Sequence, residues 1–154
     1  MKMLFAYNWQ VREEWFAWAE ALPEIELSRP RTGGQQSISA NLYHVVEVEE
    51  YWVSVMQGTP LERAEFAGES LLEIRKFSDL VKPQTQIFLE GLIPEQKTQT
   101  VSRLRNGALE TYTTAEVLAH MAAHEIHHMG QLSVWSRELG LAPPSANLIR
   151  RGLA

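Results

Sequence analysis

Four segments of similar length, in which apolar residues recur at helical spacing, constrain the fold of this chain of 154 residues more than any other feature. The first segment covers residues 3–21 and ends before Pro23. The second begins at Ser37 or Ser39, either of which is a suitable N-cap, and ends near Gly58. Both patterns predict amphipathic helices.

Two more segments follow in the second half of the chain. Residues 68–90 predict a third helix that Pro83 kinks or splits, because proline lacks a backbone donor and clashes with the preceding turn. A fourth helix is predicted from Thr113 or Thr114, and its apolar spacing continues without a break to Leu139. Four amphipathic segments of this length are typical of a four-helix bundle, in which sites are built from side chains on facing helices.

The connections between these segments are of two kinds. Residues 23–36 contain prolines and glycines, which indicate a loop. Asn106 and Gly107 lie between Thr100–Leu104 and Ala108–Tyr112, and this dipeptide is favoured in tight hairpin turns. The sequence therefore predicts an all-α fold, a four-helix bundle with a short hairpin before the last helix.

The composition is that of an ordinary globular protein. Hydrophobic residues make up 45% of the chain and charged residues 21%, and the length fits a single domain, which we assign to residues 1–154. The formal net charge of -5 argues against nucleic-acid binding, which normally needs a basic surface. The apolar run at the N-terminus is too short for a signal sequence or a membrane span, so we expect a cytoplasmic protein without a membrane partner.

Histidine gives the clearest indication of chemistry, because four of the five histidines fall within nine residues of the fourth predicted helix. His120, His124 and His128 are spaced i, i+4 and i+8, which places them along one helix face with neighbouring Cβ atoms roughly 5–6 Å apart. Two imidazoles at this spacing can bind one divalent transition metal. Cysteine is absent, so any metal ion must be held by nitrogen and oxygen. The fifth histidine, His44, lies on the apolar side of the second predicted helix and is expected to face inward.

Two other interpretations of the cluster compete with metal binding. The histidines can be core or interface residues bonded to backbone and water, although several imidazoles on one buried face are costly without a ligand or a counter-charge. Residues 124–128 also match the H-E-x-x-H pattern of zinc proteases, with Glu125 as the base. The protease interpretation is disfavoured because no histidine follows His128 and the one downstream acid, Glu138, lies on the same helix.

Several polar residues near the histidines are candidates for supporting roles. Glu47, one turn after His44, can orient a ligand or accept a proton, or it can be an ordinary solvated residue. Gln131 can bond one of the imidazoles or pack at the end of the bundle. His120 is a spare ligand or a hydrogen-bond donor to the ligands, whereas His127 is expected to meet solvent, a carboxylate or a partner subunit.

Helical spacing also predicts which charged residues and tryptophans lie off the apolar faces. Arg12 lies away from the apolar stripe of the first helix, and Glu49 and Glu50 lie away from that of the second, so we expect these side chains to point away from the core. Trp15 and Trp18 also fall off the main stripe of the first helix. We predict that these two tryptophans mark a dimer surface.

The order of these motifs resembles that of a known protein family. An HxxxH pair followed by Met129, Gly130, Gln131 and Leu132, an upstream LYHVVEVEEYW helix and the opening AYNW are similar to the DinB family, within the DinB/YfiT-like group of candidate metalloenzymes. The resemblance covers essentially the whole chain in length, helix order and motif placement. The usual signature of the fourth helix reads H-E-x-H-H-R-G-Q, and Met129 replaces its arginine here, which argues against an anionic contact by that side chain.

The resemblance implies a four-helix bundle, commonly dimeric, that binds zinc, nickel or a similar divalent ion. In the family, a histidine of the second helix and two histidines four residues apart on the fourth form a metal triad, which corresponds to His44, His124 and His128 in this chain. Characterised relatives include S-transferases and isomerases that use bacillithiol, mycothiol or glutathione. The resemblance therefore implies a homodimer with a small-molecule substrate, such as a low-molecular-weight thiol.

Three nitrogen ligands leave one position on a metal ion open, which is typical of catalytic rather than structural sites. A metal ion in such a site lowers the pKa of bound water and similarly favours a bound thiol as thiolate. We therefore expect thiol-transferase or hydrolase chemistry on small electrophiles. The alternatives are a non-catalytic metal-binding stress or regulatory protein and a purely structural bundle.

Overall fold

The chain is mostly helical in a computed structural model that describes residues 1–63 and 65–153. Over these residues it forms five α-helices, one short 3-10 helix and one hairpin, in the order α1 (Lys2–Glu20), α2 (Glu24–Ser28), α3 (Ile38–Met56), α4 (Leu71–Gly91), the 3-10 helix (Pro94–Thr98), β1 (Thr100–Arg105), β2 (Ala108–Thr113) and α5 (Thr114–Glu138). The long helices α1, α3, α4 and α5 correspond to the four predicted amphipathic segments. The predicted helical fold is confirmed.

Helices α3 and α5 begin at side chains that cap their first backbone groups. The Ser37 hydroxyl accepts a hydrogen bond of 3.1 Å from a backbone N–H of α3. At the start of α5, the Thr113 hydroxyl and the Glu116 carboxylate form a capping box, in which each side chain accepts a hydrogen bond from the backbone of the other residue. Both starts are among those predicted, because serine and threonine are common N-caps.

Helix α4 differs from its prediction at its start, and of the two outcomes predicted for Pro83, a kink or a split, the split is absent. It begins at Leu71, after a capping box, rather than at residue 68. It also continues through Pro83 without a split. Pro83 lies on the exposed side of the helix, where water can reach the Asp79 carbonyl that loses its backbone donor.

The loop prediction for residues 23–36 is partly wrong, because this region contains the short helix α2. Its one buried side chain, Leu27, packs in the hydrophobic core. A helix of five residues is too short to show a helical repeat of apolar positions, so the prolines and glycines around it dominate the sequence signal.

The predicted hairpin is confirmed. Strands β1 and β2 pair antiparallel, with Arg105 opposite Ala108 at the turn. Asn106 and Gly107 have φ angles of 51° and 79°, and positive φ at both central residues is what a type I′ turn requires. The Asn-Gly dipeptide therefore determines the register of the two strands.

The long helices pack so that α1 and α3 each contact both α4 and α5. Helix α3 runs antiparallel to α5, because Asn41 near its start contacts His128, whereas Trp52 near its end contacts His120. Among the described residues, no helix is both long enough and apolar enough to cross a membrane.

Two apolar clusters fill the bundle. One is built around Trp15, Phe16 and Leu132, and the other around Phe5, Trp52 and Met121. Along α5, the residues of the two clusters are separated by Glu125, which is buried. A buried carboxylate at this level needs a partner, because an isolated charge in the interior is strongly disfavoured.

A buried ionic network supplies that partner and joins the four long helices. The Arg12 guanidinium of α1 donates to both carboxylate oxygens of Glu125 on α5, at 2.7 and 2.8 Å, and to the Glu49 carboxylate on α3. It also donates to the Ser78 hydroxyl on α4 at 3.1 Å. The Trp9 indole adds a hydrogen bond of 3.1 Å to Glu49. One arginine therefore contacts a polar side chain on each of the other long helices.

This network contradicts the prediction that Arg12 and Glu49 point away from the core, since their exposed fractions are 1% and 4%. Helical spacing assigns charged residues to solvent, but it does not detect a charge that is neutralised by residues distant in the sequence. The surface prediction for Trp15 is also wrong, because this side chain is buried in the core. Its neighbour Trp18 is partly buried against the same cluster.

The network holds one positive charge between two carboxylates. Burial acts to lower the pKa of Arg12, but attraction to Glu125 and Glu49 raises the pKa above its ordinary value, so the guanidinium stays charged. Burial raises the pKa of Glu125 and outweighs the opposing attraction of Arg12. Loss of the arginine would leave two buried carboxylates facing each other without a counter-charge.

We predict that Arg12→Met lowers the free energy of unfolding by about 3–5 kcal/mol, because breaking a buried ion pair from one side leaves uncompensated buried charge. The measurement is urea unfolding followed by circular dichroism. Arg75→Met is the matched control, since Arg75 pairs with Glu13 and Glu20 on the surface and its loss should cost about 1 kcal/mol or less. Equal losses in the two variants would contradict the structural role of the network.

Candidate metal centre

Three histidines meet between α3 and α5. His44 projects from α3, and His124 and His128 project from successive turns of α5. The Nε2 atom of His124 lies 3.2 Å from Nε2 of His44 and 3.1 Å from Nε2 of His128. One ligand nitrogen from each of the three rings lies within 4.8 Å of the other two, an arrangement that can hold one metal ion. The structure therefore brings together the three residues that the family resemblance implies.

Asn41 determines the proton position on His128. The Asn41 amide nitrogen donates to the His128 backbone carbonyl at 3.0 Å, which fixes the orientation of the amide. The Asn41 Oδ1 atom then faces Nδ1 of His128 at 2.9 Å, so Nδ1 carries the proton and donates it. In the neutral ring, Nε2 of His128 therefore presents a lone pair toward His124.

A carboxylate and an arginine support His44 in a similar way. Nδ1 of His44 lies 3.6 Å from the Glu47 carboxylate, which favours a proton on Nδ1 and a free lone pair on Nε2. Arg63 holds Glu47 in place with two hydrogen bonds, of 2.7 and 2.6 Å. Burial acts to raise the pKa of Glu47, but the hydrogen bonds from Arg63 and the proximity of His44 lower it below its ordinary value. The supporting role predicted for Glu47 therefore fits its position, and the alternative of a solvated residue does not, since Glu47 is buried.

His124 lies between the two lone pairs. A proton on its Nε2 can be donated to only one of the neighbouring Nε2 atoms and leaves the other without a donor. A proton on its Nδ1 instead has no partner among the residues that the structure describes, because that atom is buried and unpaired. A cation at the centre resolves this conflict, since it accepts all three lone pairs at once.

The protonation of the cluster suits a metal ion. Burial, and then the proximity of His128 and His44, lowers the pKa of His124 to about 3. Burial, and then the proximity of His44, lowers the pKa of His128 to about 4. Both rings are therefore neutral near pH 7, which is the form that binds a divalent ion.

Two of the three distances between the nitrogens also fit, those from His124 to each of its neighbours. Tetrahedral coordination with metal–nitrogen bonds of about 2.0–2.1 Å places the ligand atoms about 3.3 Å apart. The two measured separations of 3.2 and 3.1 Å lie close to this value. The donor set, three imidazole nitrogens without a carboxylate or thiolate, is one that zinc and nickel accept.

The remaining candidates on α5 lie outside the cluster. The His120 ring lies 5.5 Å from that of His124 and contacts Trp52 edge-on at 5.8 Å, both between ring centroids. The Gln131 amide bonds the exposed ring of His127 at 3.0 Å. Gln131 therefore bonds an imidazole, as one prediction had it, and its proximity to His128 also acts to raise the pKa of that ring against the effect of burial.

Two residues of the α5 motif have structural roles instead. Glu125, the base in the protease interpretation, is occupied by the Arg12 guanidinium. Met129, which replaces an arginine of the family signature, is buried in the core cluster around Trp15. Neither side chain is available to a substrate.

One cavity borders the cluster at His44, and a second lies beside His120. One has a volume of about 530 Å³ and is lined by His44, Glu47, Arg63, Tyr43 and Phe66, among others. The other has a volume of about 340 Å³ and is lined by Trp52, Tyr112, Arg103 and His120, among others. Both volumes lie in the range of small-molecule sites.

Sequence reasoning missed two supporting residues, Asn41 and Arg63. The signal for Asn41 was present, because it is a polar residue on the inward side of α3, one turn before His44. Gly34 also contacts this part of the site, with a φ of 55°, and a Cβ atom there would lie 3.1 Å from Asn41 Oδ1 and 2.7 Å from Gln131 Oε1. Arg63 lies in the connection after α3, where no periodic pattern indicates which residues turn inward.

We predict that Asn41→Ala weakens metal binding by about 10–100-fold, which is the typical effect of removing a residue that orients a metal-binding histidine. The reason is that His128 loses the acceptor for its Nδ1 proton. Asn8→Ala is the matched control, because buried Asn8 donates a comparable bond of 3.1 Å to the Ala122 carbonyl but forms no hydrogen bond with a histidine side chain among the described residues. Isothermal titration with zinc measures the effect, and equal affinities in the two variants would contradict it.

A second prediction concerns pH. In the metal-free protein the pKa values of His124 and His128, about 3 and about 4, lie below the unfolded value of about 6.5. Between about pH 4 and about pH 6.5, the unfolded chain therefore binds more protons than the folded chain. The stability that the neutral histidines contribute above this pH range is lost as the pH falls through it. Urea unfolding measures the free energy of unfolding at about pH 7 and about pH 5. Between these two pH values, the free energy of unfolding should fall less in His124→Gln than in the wild type. The same loss in both proteins would show that the cluster does not titrate in this way.

Comparisons with known proteins agree with the resemblance seen in the sequence. The YizA protein of Bacillus subtilis strain 168 is 40% identical over 155 residues, which cover 99% of this chain and 96% of that protein. The DinB protein of the same strain is 25% identical over 148 residues, which cover 90% and 86%. A crystal structure of a DinB-like protein from Bacillus cereus ATCC 10987 matches with a TM-score of 0.69 at 18% identity, covering 93% of this chain and 95% of that one, and thus shares the fold.

The family model described as the DinB family matches residues 1–152, nearly the full length of the chain. Together with the identity to YizA, this match is decisive: the chain belongs to the DinB family.

Proposed function

We propose that the protein is a metal-dependent enzyme that transfers a low-molecular-weight thiol to a small electrophile or hydrolyses such an electrophile. In this proposal zinc or nickel is bound by His44, His124 and His128. The observation that carries it is the convergence of three imidazole nitrogens, two of which present lone pairs fixed by Asn41 and Glu47. Hydrogen bonds among the three rings alone leave Nδ1 of His124 without a partner among the described residues, or leave one Nε2 atom without a donor.

A divalent ion in this site would supply a Lewis acid that lowers the pKa of a thiol or water presented to it. Three histidine ligands leave room for that thiol or water, as in catalytic rather than structural sites. Among the described residues, the group that can hold one metal ion is limited to His44, His124 and His128, and His120 is not part of it. This supports an open position rather than a closed one.

The residues of α3 and its following connection orient the site. Arg63 restrains Glu47, and Glu47 faces Nδ1 of His44, so this chain of contacts keeps the His44 ring turned toward the other two. Because Arg63 already neutralises Glu47, we assign Glu47 to positioning rather than to proton transfer. The cavity beside His44 would receive the electrophile, with Tyr43 and Phe66 as its aromatic walls.

The nucleophile must come from outside the chain. The protein has no cysteine, so a thiol attack requires a thiol cosubstrate. In the transfer, the thiol sulfur would form the new bond to the electrophilic carbon, the leaving group would depart with its electron pair, and the thiol proton would pass to solvent. In the hydrolytic version, water would take the place of the thiol.

The test is to load the purified protein with zinc or nickel and to measure thiol consumption with glutathione or bacillithiol and a chloro-dinitrobenzene electrophile. We predict acceleration by the wild type and its loss in His124→Gln, together with loss of bound metal. His127→Gln is the matched control, since His127 lies on the same helix but outside the cluster, and it should keep both metal and activity.

Two outcomes would contradict the proposal in different ways. Full metal binding without acceleration of any thiol or hydrolytic reaction would favour the non-catalytic metal-binding protein. Unchanged metal content in His124→Gln would contradict the ligand assignment itself.

A further inference from the structure

The hairpin turns a polar face, and not its leucines, toward the bundle. Leu104 and Leu109 lie opposite each other in the strand register, and they are 72% and 71% exposed. The neighbouring pair, Arg103 and Glu110, lies on the other face, where Arg103 contacts the ring of Trp52. Because successive side chains of a strand alternate between faces, a shift of one residue would have placed the leucines inward. Covering the bundle with apolar surface therefore does not explain this orientation.

A cavity of about 340 Å³ lies between this polar face and helices α3 and α5, and we call it the hairpin cavity. Trp52 of α3 and Tyr112 of β2 form its aromatic walls, with ring centroids 6.0 Å apart. A hairpin that only covered the bundle would pack against it without such a space, because protein interiors are filled as densely as crystals of small molecules. The polar face and the space behind it together indicate a site for a small molecule.

The Arg103 guanidinium is held in place at one side of the hairpin cavity. Its Cζ atom lies 4.5 Å from the centre of the Trp52 ring, and its Nε atom donates to the Glu110 carboxylate at 2.9 Å. Burial acts to lower the pKa of Arg103, but hydrogen bonds with Glu110 and Tyr51 raise the pKa above its ordinary value, so the group stays charged. Among the described residues, no carboxylate forms a hydrogen bond with its two terminal nitrogens. Their N–H groups can therefore bind a second carboxylate.

The charges around the hairpin cavity favour an anion. Nη1 of Arg105 lies 3.6 Å from the second oxygen of Glu110, so two guanidinium groups share this carboxylate. Glu116 also borders the cavity, but its carboxylate accepts from the backbone N–H and the hydroxyl of Thr113, at 2.7 Å each. The positive end of the helix dipole of α5 compensates that charge. The two arginines therefore carry one positive charge more than Glu110 neutralises.

His120 forms the wall of the hairpin cavity that lies toward the histidine cluster. Its ring lies 5.8 Å from the ring of Trp52 and 5.5 Å from that of His124, between centroids. An imidazole in this place can donate a hydrogen bond to a ligand in the cavity. The position of His120 outside the group that can hold a metal ion is consistent with this different role.

We propose that the hairpin cavity is a binding site for a small carboxylic acid. The carboxylate accepts hydrogen bonds from the terminal nitrogens of Arg103, and the apolar part of the ligand lies against Trp52 and Tyr112. Arginine suits this role because its planar group matches the two oxygens of a carboxylate. The inference does not depend on the proposed function, since none of the three converging histidines lines this cavity.

The larger cavity between α1 and α4 fits an anion less well. It has a volume of about 550 Å³, and Nζ of Lys82 lies 5.9 Å from the centre of the Trp9 ring, which also places a cation over an indole. Three glutamates line this cavity together with only two lysines; the glutamates are Glu13, Glu14 and Glu90. Lys82 is therefore a suitable control for Arg103.

The test is isothermal titration of the full chain, as purified, with phenylacetate and with its neutral amide, phenylacetamide. We predict that phenylacetate binds the wild type and that Arg103→Met raises its dissociation constant by about 10–100-fold, as expected for lost hydrogen bonds between charged groups. The weaker binding of phenylacetamide should change little. Lys82→Met should leave both affinities unchanged. The same values are expected in the presence of a chelator, which separates this test from that of the proposed function.

The carboxylate can belong to the thiol cosubstrate or to a separate small acid, and S-methylglutathione distinguishes these sources. It keeps the carboxylates of glutathione, but its blocked sulfur cannot act as a thiolate. If the thiol supplies the carboxylate, S-methylglutathione should bind and should weaken in Arg103→Met by the same factor as phenylacetate. If the ligand is a separate acid, phenylacetate alone should show this dependence.

A measurement on the wild type does not depend on how a variant folds. Phenylacetate should shift the NMR signal of the Trp52 indole N–H, which is identified by its loss in Trp52→Phe, and should leave the signal of Trp9 unchanged. Absence of phenylacetate binding, equal affinity of the wild type and Arg103→Met, or a shift at Trp9 without one at Trp52 would overturn the proposal.

Discussion

The buried guanidinium of Arg12 connects the four long helices of the bundle. It donates to Glu125 on α5, to Glu49 on α3 and to Ser78 on α4, so a single side chain of α1 sets the position of the other three long helices. Apolar packing alone tolerates small rotations of a helix, because one methyl group can replace another. Hydrogen bonds from a planar guanidinium do not, because their donors point in fixed directions.

The position of the histidine cluster depends on the rotation of α5 about its own axis, which the Arg12 network determines. Glu125 follows His124 directly, so when its carboxylate faces Arg12 on one side of α5, His124 and His128 are turned toward α3 on another. There they meet His44, whose ring is supported from its own helix by Glu47. One side of α5 is therefore bonded into the core, and another presents imidazole nitrogens to His44 of α3, which borders a cavity.

The long helices and the hairpin were predictable from the sequence because their signals are local. Contacts between distant residues were not predictable from such signals. Amphipathic spacing, caps such as Thr113 and the Asn106-Gly107 turn are local signals, and they predicted the long helices and the hairpin. The convergence of His44 with the α5 histidines followed from a family resemblance and not from spacing. The Arg12 network was missed because each of its charges is stable only through partners on other helices. Asn41 was missed for the same reason, since its role depends on facing His128 across the bundle.

We propose that His44, His124 and His128 together bind one divalent ion. The most direct test is a crystal grown with zinc, with anomalous difference density collected on both sides of the zinc absorption edge. We expect one strong peak at about 2.0–2.1 Å from Nε2 of each of the three rings. A peak at His120 or His127 instead, or none within reach of the three rings, would contradict it.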